Sequence, residues 1–175
     1  MTKSKSLIAY FSRKGNNIVG GSIVNLPIGN TEVIAKKIQE LTGSDMFQIK
    51  TVKSYPNDYT ETTNVARKEL SENARPELAE TIDDIDSYDV IYLGYPNWWG
   101  TMPMAVCTFL DSYDFSGKTI VPYCTHEGSG LGSSERDIKK LCPTAKVLSG
   151  LAIKGSTVGR ADNDLANWRK NLICW

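Results

Sequence analysis

"YDVIYLGYPNWWGTMP", residues 88–103, carries the reading of the whole chain. Val90–Leu93 is a run of β-formers with no alternation of polar residues, the pattern of a strand buried on both faces and so of a parallel sheet enclosed by helices. The run ends at Gly94 and Pro96, and two adjacent tryptophans follow before Gly100 and Pro103. Trp98 and Trp99 cannot both be core, because the glycines and prolines around them force a surface turn. One of the pair is expected to pack under the loop, and the other is free to lie against a flat ligand.

Outward from this stretch the same alternation repeats. Leu7–Phe11 reads as a strand followed by a helix from Thr31 to Leu41, with Val33, Ile34, Ile38 and Leu41 at helical spacing. Met46–Ile49 precedes a helix near Thr60–Leu70, and Val90–Leu93 precedes one from Pro103 to Leu110. Thr119–Tyr123 leads to a helix over Leu131–Leu141, and a strand within Ala145–Ile153 leads to the last helix, Asn163–Ile173. Five strands, each followed by a helix, predict an α/β fold: a three-layer, doubly wound parallel sheet with helices on both faces. The acidic stretch "SENARPELAETIDDIDSYD", residues 71–89, reads as a connector, so residues 1–175 are expected to form a single domain.

Bulk composition narrows the function classes. The chain has 20 Lys+Arg against 20 Asp+Glu, so no net field recommends nucleic acid or an anionic membrane surface as a partner. The basic start, Met1 to Ser6, is followed by an apolar run too short for a signal-peptide core. Cys107, Cys124, Cys142 and Cys174 include no Cys-x-x-Cys pair, so neither a metal site nor a disulfide is expected, and a reducing cytoplasm is.

In an open sheet of this kind ligands lie beyond the carboxyl ends of the strands, where strand order reverses. Three loops there are chemically unusual. The first contains two look-alike turns, Ser12-Arg13-Lys14-Gly15-Asn16-Asn17 and Gly29-Asn30-Thr31. The second turn abuts a helix, so its N–H groups and the helix dipole make an anion seat, although Asn30 or Thr31 could equally be a plain N-cap. No Walker-type Gly-x-x-x-x-Gly-Lys-Ser/Thr occurs. The third-strand loop is Pro96-Asn97-Trp98-Trp99-Gly100. The fourth, "CTHEGSGLGSSERDI", carries glycines at 128, 130 and 132 and the chain's one histidine, His126. Its glycines let backbone approach a ligand closely. A serine hydrolase is disfavoured, because Gly-x-Ser-x-Gly is absent.

Together, "YFS…GNT" ahead of a helix, "YDVIYLGYPNWWGTMPMAVCTFLD", "DFSGKTIVPYCTHEGSGLGSS" and a tryptophan-bearing terminal helix resemble the flavodoxin-like FMN-binding family over nearly the whole chain. The resemblance implies strand order 2-1-3-4-5 with FMN at the switch point. It implies that Ser12, Asn30 and Thr31 hold the phosphate, with Arg13, Asn17 and Gly29 from the same loop in the candidate set. Pro96, Asn97, Trp98, Trp99 and Gly100 would flank the flavin ring on one side, with Trp98 favoured as the stacking residue, and Thr125, His126, Glu127, Gly128 and Gly130 would line its other edge. No side chain is assigned a catalytic role.

Family members of this type usually run Ser-x-x-Gly-Asn-Thr unbroken, whereas here the threonine appears only at 31. Residues 16–28 therefore read as an insertion, too apolar for a solvated loop and too broken by Gly20, Gly21 and Pro27 for a helix. The expectation is a lid or an added sheet edge that buries Ile18, Val19, Ile23, Val24, Leu26 and Ile28 against the domain or a second subunit. The implied function is electron transfer in the cytoplasm, to redox partner proteins or small acceptors, by a monomer or weak dimer. The alternative is an FMN-dependent NAD(P)H:quinone-type oxidoreductase, with the long first loop walling a second pocket.

Overall fold

The computed structural model describes residues 4–173. The start of the basic N-terminal stretch, Met1 to Lys3, and Cys174 lie outside them. Along the chain the elements are β1 (Ser6–Tyr10), β2 (Gly15–Val19), β3 (Ser22–Leu26), α1 (Asn30–Thr42), β4 (Asp45–Gln48), α2 (Tyr59–Ser71), β5 (Val90–Pro96), α3 (Met104–Ser112), β6 (Thr119–His126), α4 (Ser134–Leu141), β7 (Lys146–Val147), β8 (Leu151–Lys154) and α5 (Asp162–Ile173). The main sheet runs β4-β1-β5-β6, with β7 and β8 side by side with β6 at the far edge, and every pairing in it is parallel. With the β2–β3 pair set aside, this is the expected order 2-1-3-4-5.

The strands bury both faces, as the unbroken apolar runs require. On β1, Ile8 and Tyr10 point to a cluster with Ile34, Ala35 and Ile38 of α1 and Leu165 of α5. Leu7 and Ala9 point the other way, to a cluster with Ile91, Leu93 and Tyr95 of β5, Phe109 of α3 and Ile138 of α4. The period of two along the strand and of 3.6 along the helices thus sorts one sequence into two cores. Where α1 ends, Gly43 takes φ +69° and returns its N–H to the Gln39 carbonyl at 2.8 Å.

Two expectations need correction. The fifth strand is not continuous: β7 pairs with Thr119 and Ile120, β8 pairs with Tyr123 to His126, and the break lies opposite Val121 and Pro122. The Leu148 N–H donates to the Ile120 carbonyl at 2.9 Å, so Ile120 addresses this edge, and so does Pro122 two residues on. Proline has no N–H to give, and the ladder stops there. The Gly150 N–H turns instead to the Glu135 carboxylate at 3.1 Å.

The insertion does not join the main sheet, and it does not bury all of its apolar residues against its own domain. β2 and β3 form a separate antiparallel hairpin, registered from Gly15↔Leu26 to Val19↔Ser22. Gly20 and Gly21, at φ +61° and +84°, make the two-residue turn that matches strand twist. β2 is partly buried beside α2, whereas β3 is open to solvent, with Ile23 59% and Val24 39% exposed. Ile28, beyond the hairpin, is also exposed. Among the described residues, no helix is long and apolar enough to cross a membrane.

Candidate functional site

At the carboxyl end of the sheet the three loops enclose a half-open cavity of about 570 Å³. Its floor begins at the first loop. The N-cap of α1 is Gly29, not Asn30 or Thr31, and it has no side chain with which to cap. Ser12 supplies the missing group: its Oγ accepts the Glu32 N–H at 3.1 Å. Gly29 lies so close that a Cβ there would collide with Ser12 Oγ and sit 2.7 Å from the Arg13 carbonyl. The N–H groups of Asn30 and Thr31, at the positive end of the helix dipole, find no acceptor among the described residues. An anion fits this cradle. The Thr31 hydroxyl, almost fully buried, meets the Thr125 hydroxyl at 2.8 Å.

The earlier look-alike turn has a different task. Asn17 lines the cavity, but its amide donates to the Arg13 and Gly15 carbonyls at 3.1 Å each and so shapes the turn. The Arg13 guanidinium donates to the Asn16 carbonyl and, at 2.8 Å each, to those of Pro56 and Asn57, tying the hairpin base to the loop before α2. Burial pulls its pKa below the ordinary arginine value, and the neighbouring Asp58 carboxylate opposes that. It remains a cation at the cavity wall.

The third-strand loop is a miniature hairpin. The Trp98 N–H reaches the Thr101 carbonyl at 2.8 Å, and Trp99 and Gly100 form the turn at φ +57° and +84°. Positive φ is strained for a tryptophan. Docking onto α2 holds it: the indole N–H donates to the Thr63 carbonyl at 2.9 Å, and the Arg67 guanidinium lies 5.3 Å from the ring centroid. Trp99 stays 50% exposed. Trp98 turns inward, meeting Phe11 and Tyr55 edge to face with centroids 5.1 Å away in each case. Tyr55 is in turn fixed by donating to Glu69 at 2.8 Å. So one tryptophan packs under the loop as expected, and both line the cavity.

Loops three and four are tied together. The Asn97 amide donates to the Gly130 carbonyl at 2.8 Å and accepts the Gly100 N–H at 2.9 Å. The Ser133 N–H donates to the Gly100 carbonyl at 2.8 Å, and Asp137 accepts both the Thr101 hydroxyl at 2.7 Å and the Ser133 hydroxyl at 2.9 Å. Gly132 approaches Gly100 so closely that no Cβ fits between them. With φ +56° at Gly132, α4 starts at Ser134 instead of Leu131.

His126 and Glu127 project from the end of β6 into the cavity wall. His126 Nδ1 accepts the Gly128 N–H at 2.9 Å, which assigns the ring proton to Nε2. Burial pulls the imidazole below its ordinary pKa; Glu127 counters this and Lys154 adds to it. The ring is therefore neutral at pH 7. Glu127 accepts the Gly20 N–H from the hairpin tip at 3.0 Å. Its other oxygen, with the Asn30 amide, crowds the place that a Cβ would take at Gly155.

Of the sequence candidates, Arg13, Asn17, Asn30, Thr31, Pro96 to Gly100 and Thr125 to Glu127 line the cavity. Ser12, Gly29, Gly128 and Gly130 are not among the lining residues; Ser12 and Gly29 meet at the start of α1, the Gly130 carbonyl accepts from Asn97, and the Gly128 N–H donates to His126. Sequence reasoning missed one side, Tyr59, Thr62, Thr63 and Ala66 of α2, together with Ile18 of the hairpin, Ser129 of the fourth loop and Gly155 after β8. The α2 residues follow i, i+3, i+4, i+7, a signal that was available.

The fold and this site define a flavodoxin-type protein. The chain belongs to the flavodoxin family, whose model matches residues 5–172. A candidate flavoprotein from Bacteroides uniformis is 26% identical, with 97% of this chain and 99% of that chain covered and a TM-score of 0.77. One from Bacteroides eggerthii is 27% identical, covering 94% and 99%, with a TM-score of 0.72. A Lactobacillus acidophilus flavoprotein solved in complex with FMN is 22% identical, covering 95% and 99%, with a TM-score of 0.69, and shares the fold. No curated protein matches the chain significantly.

Proposed function

We propose that this chain binds FMN and works as an electron-transfer protein of the cytoplasm, passing electrons to redox partner proteins or small acceptors. The observation that carries the reading is the start of α1, where Gly29, with no side chain, and two N–H groups with no acceptor among the described residues open into a cavity lined by two tryptophans. A phosphate monoester fits the first and a flat ring the second. When bound, FMN supplies one- or two-electron chemistry at its ring.

The chain's own residues hold and orient it. Asn30 and Thr31 seat the phosphate with their N–H groups, and Ser12 and Gly29 keep that seat open. Trp98 and Trp99 cover the ring, and Thr125 to Glu127 face its opposite edge. No side chain needs to move a proton, and His126, neutral at Nδ1, acts as an acceptor that fixes the Gly128 turn. The cysteines agree with a reducing compartment: among the described residues Cys107, Cys124 and Cys142 are buried and form no disulfide.

One observation favours an FMN-dependent reductase instead. The hairpin's Ile18 and the α2 face with Tyr59 and Ala66 add a wall to the cavity, which could shelter a second planar molecule. The purified holoprotein separates the readings. A carrier accepts electrons from a reductase and does not oxidise NAD(P)H alone; steady NAD(P)H oxidation with a quinone acceptor would establish the reductase.

A further inference from the structure

The β2–β3 hairpin poses a problem that the cavity does not solve. β3 pairs with β2 on one side and with nothing on the other among the described residues. A bare strand edge is a template for another strand, and proteins usually guard such edges with charge, proline or a covering segment. Here residues 15–28 contain no Asp, Glu, Lys or Arg, although the chain has 20 of each sign. The only guard is Pro27, just past the end of β3. Ile23 and Val24, on opposite faces of the strand, are both exposed.

We propose that β3 is a homodimer contact, pairing antiparallel with β3 of a second copy to make a four-stranded sheet from two hairpins. The backbone sets the register. In a two-residue turn of this type the closing pair, Val19↔Ser22, exchanges hydrogen bonds inside the hairpin, so the N–H and C=O of Ile23 and Asn25 point to the open edge. A two-fold axis through Val24 places Ile23 opposite the partner's Asn25, and Asn25 opposite the partner's Ile23. All four outward N–H groups then meet carbonyls. Pro27, with no N–H, ends the ladder on both sides, which confines pairing to residues 22–26.

Charge selects a second copy over another protein. An uncharged strand offers nothing to steer or orient a charged partner, and it meets its own copy without repulsion. Size sets the strength. Five residues per copy fall far short of the roughly 20–30 per side in a stable complex, so the dimer is concentration-dependent, with Kd between about 10 μM and 1 mM.

The experiment uses the full chain carrying Cys174→Ser, so that no terminal thiol competes. Sedimentation velocity over that concentration range is expected to shift from monomer to dimer, and Ile23→Lys, which sets like charges into the shared edge, to lower the dimer fraction at least tenfold. Val24→Cys places two thiols across the axis at a non-hydrogen-bonded pair, about 4.5–5.5 Å between Cβ atoms. Ser22→Cys, equally exposed, puts them about 13 Å apart at 3.3 Å per residue. Under mild oxidation Val24→Cys should form disulfide dimers at least tenfold faster than Ser22→Cys. A monomer at every concentration, or equal cross-linking at 22 and 24, overturns the proposal whether or not FMN is bound. A dimer that survives Ile23→Lys overturns it too, since it would lie elsewhere.

Discussion

The Glu32 N–H donates to the Ser12 hydroxyl at 3.1 Å across 20 residues of sequence, so the side chain that caps α1 comes from before the hairpin. The cap and the helix are one structural unit, divided in sequence by an inserted element. Ser12→Ala removes the acceptor while Gly29 offers no replacement, and stability should fall by about 1 kcal/mol, the usual worth of a cap. Urea denaturation of the apoprotein measures this. An unchanged midpoint and slope would mean that the Glu32 amide is satisfied otherwise.

The same geometry makes the hairpin removable. Gly29 is already in contact with Arg13, close enough that a Cβ would lie 2.7 Å from the Arg13 carbonyl. Deleting residues 15–28 and joining Lys14 to Gly29 should leave the main sheet folded. FMN affinity should drop by no more than about tenfold, or 1.4 kcal/mol, from the loss of the Asn17 and Ile18 wall. Circular dichroism and a flavin titration check it; a folded variant that no longer binds FMN would make the hairpin part of the seat.

The two tryptophans should separate cleanly on mutation. Trp98 is wedged between Phe11 and Tyr55, and Trp98→Ala should cost about 3 kcal/mol of stability through the cavity it leaves. Trp99 is half exposed at positive φ, so Trp99→Ala should barely change stability. Each substitution should weaken FMN by about 1–3 kcal/mol and relieve quenching of its fluorescence. Equal stability losses from the two would contradict the division between packing and covering.

His126 gives a pH prediction. Its pKa is lowered in the folded chain, first by burial, so the unfolded chain binds the proton more readily. The neutral ring's contribution to stability is full above the unfolded value of about 6.5 and is lost as pH falls through it toward the folded value. As the one histidine in the sequence, its ring signals are unambiguous by NMR. The midpoint should lie below 6.5 in the apoprotein, rise in Lys154→Met and fall further in Glu127→Gln. A midpoint above 6.5 would refute the assignment.

What was legible in the sequence follows the periodicities. Buried strands such as Val90–Leu93 and the helical stripe of Val33, Ile34 and Ile38 announce themselves, because both faces of one and one face of the other must avoid water. The loops at the strand ends were found because glycine, proline and paired tryptophans have few uses elsewhere. Two features depend on partners remote in sequence and were not legible. The break of the fifth strand is dictated by Pro122 on its neighbour, and the cap of α1 by Ser12 beyond the hairpin. The hairpin itself carried its turn signal in Gly20-Gly21, but the excess of apolar residues suggested burial that the fold of one chain does not provide. The α2 wall was overlooked because Thr62, Thr63 and Ala66 are small and ordinary until Trp99 is placed over them.

The seat at the start of α1 is the centre of the account, and titrating the apoprotein with FMN, riboflavin and FAD, followed by fluorescence quenching, tests it most directly. FMN should bind one to one. Riboflavin, which lacks the phosphate, should bind at least about a hundredfold more weakly, the equivalent of 2.7 kcal/mol, within the range for hydrogen bonds to a charged group. FAD should also bind worse than FMN, since the single helix start seats a terminal phosphate and no Gly-x-Gly-x-x-Gly cradle serves a diphosphate. Equal affinity for FMN and riboflavin would contradict the phosphate seat, and with it the reading of this site.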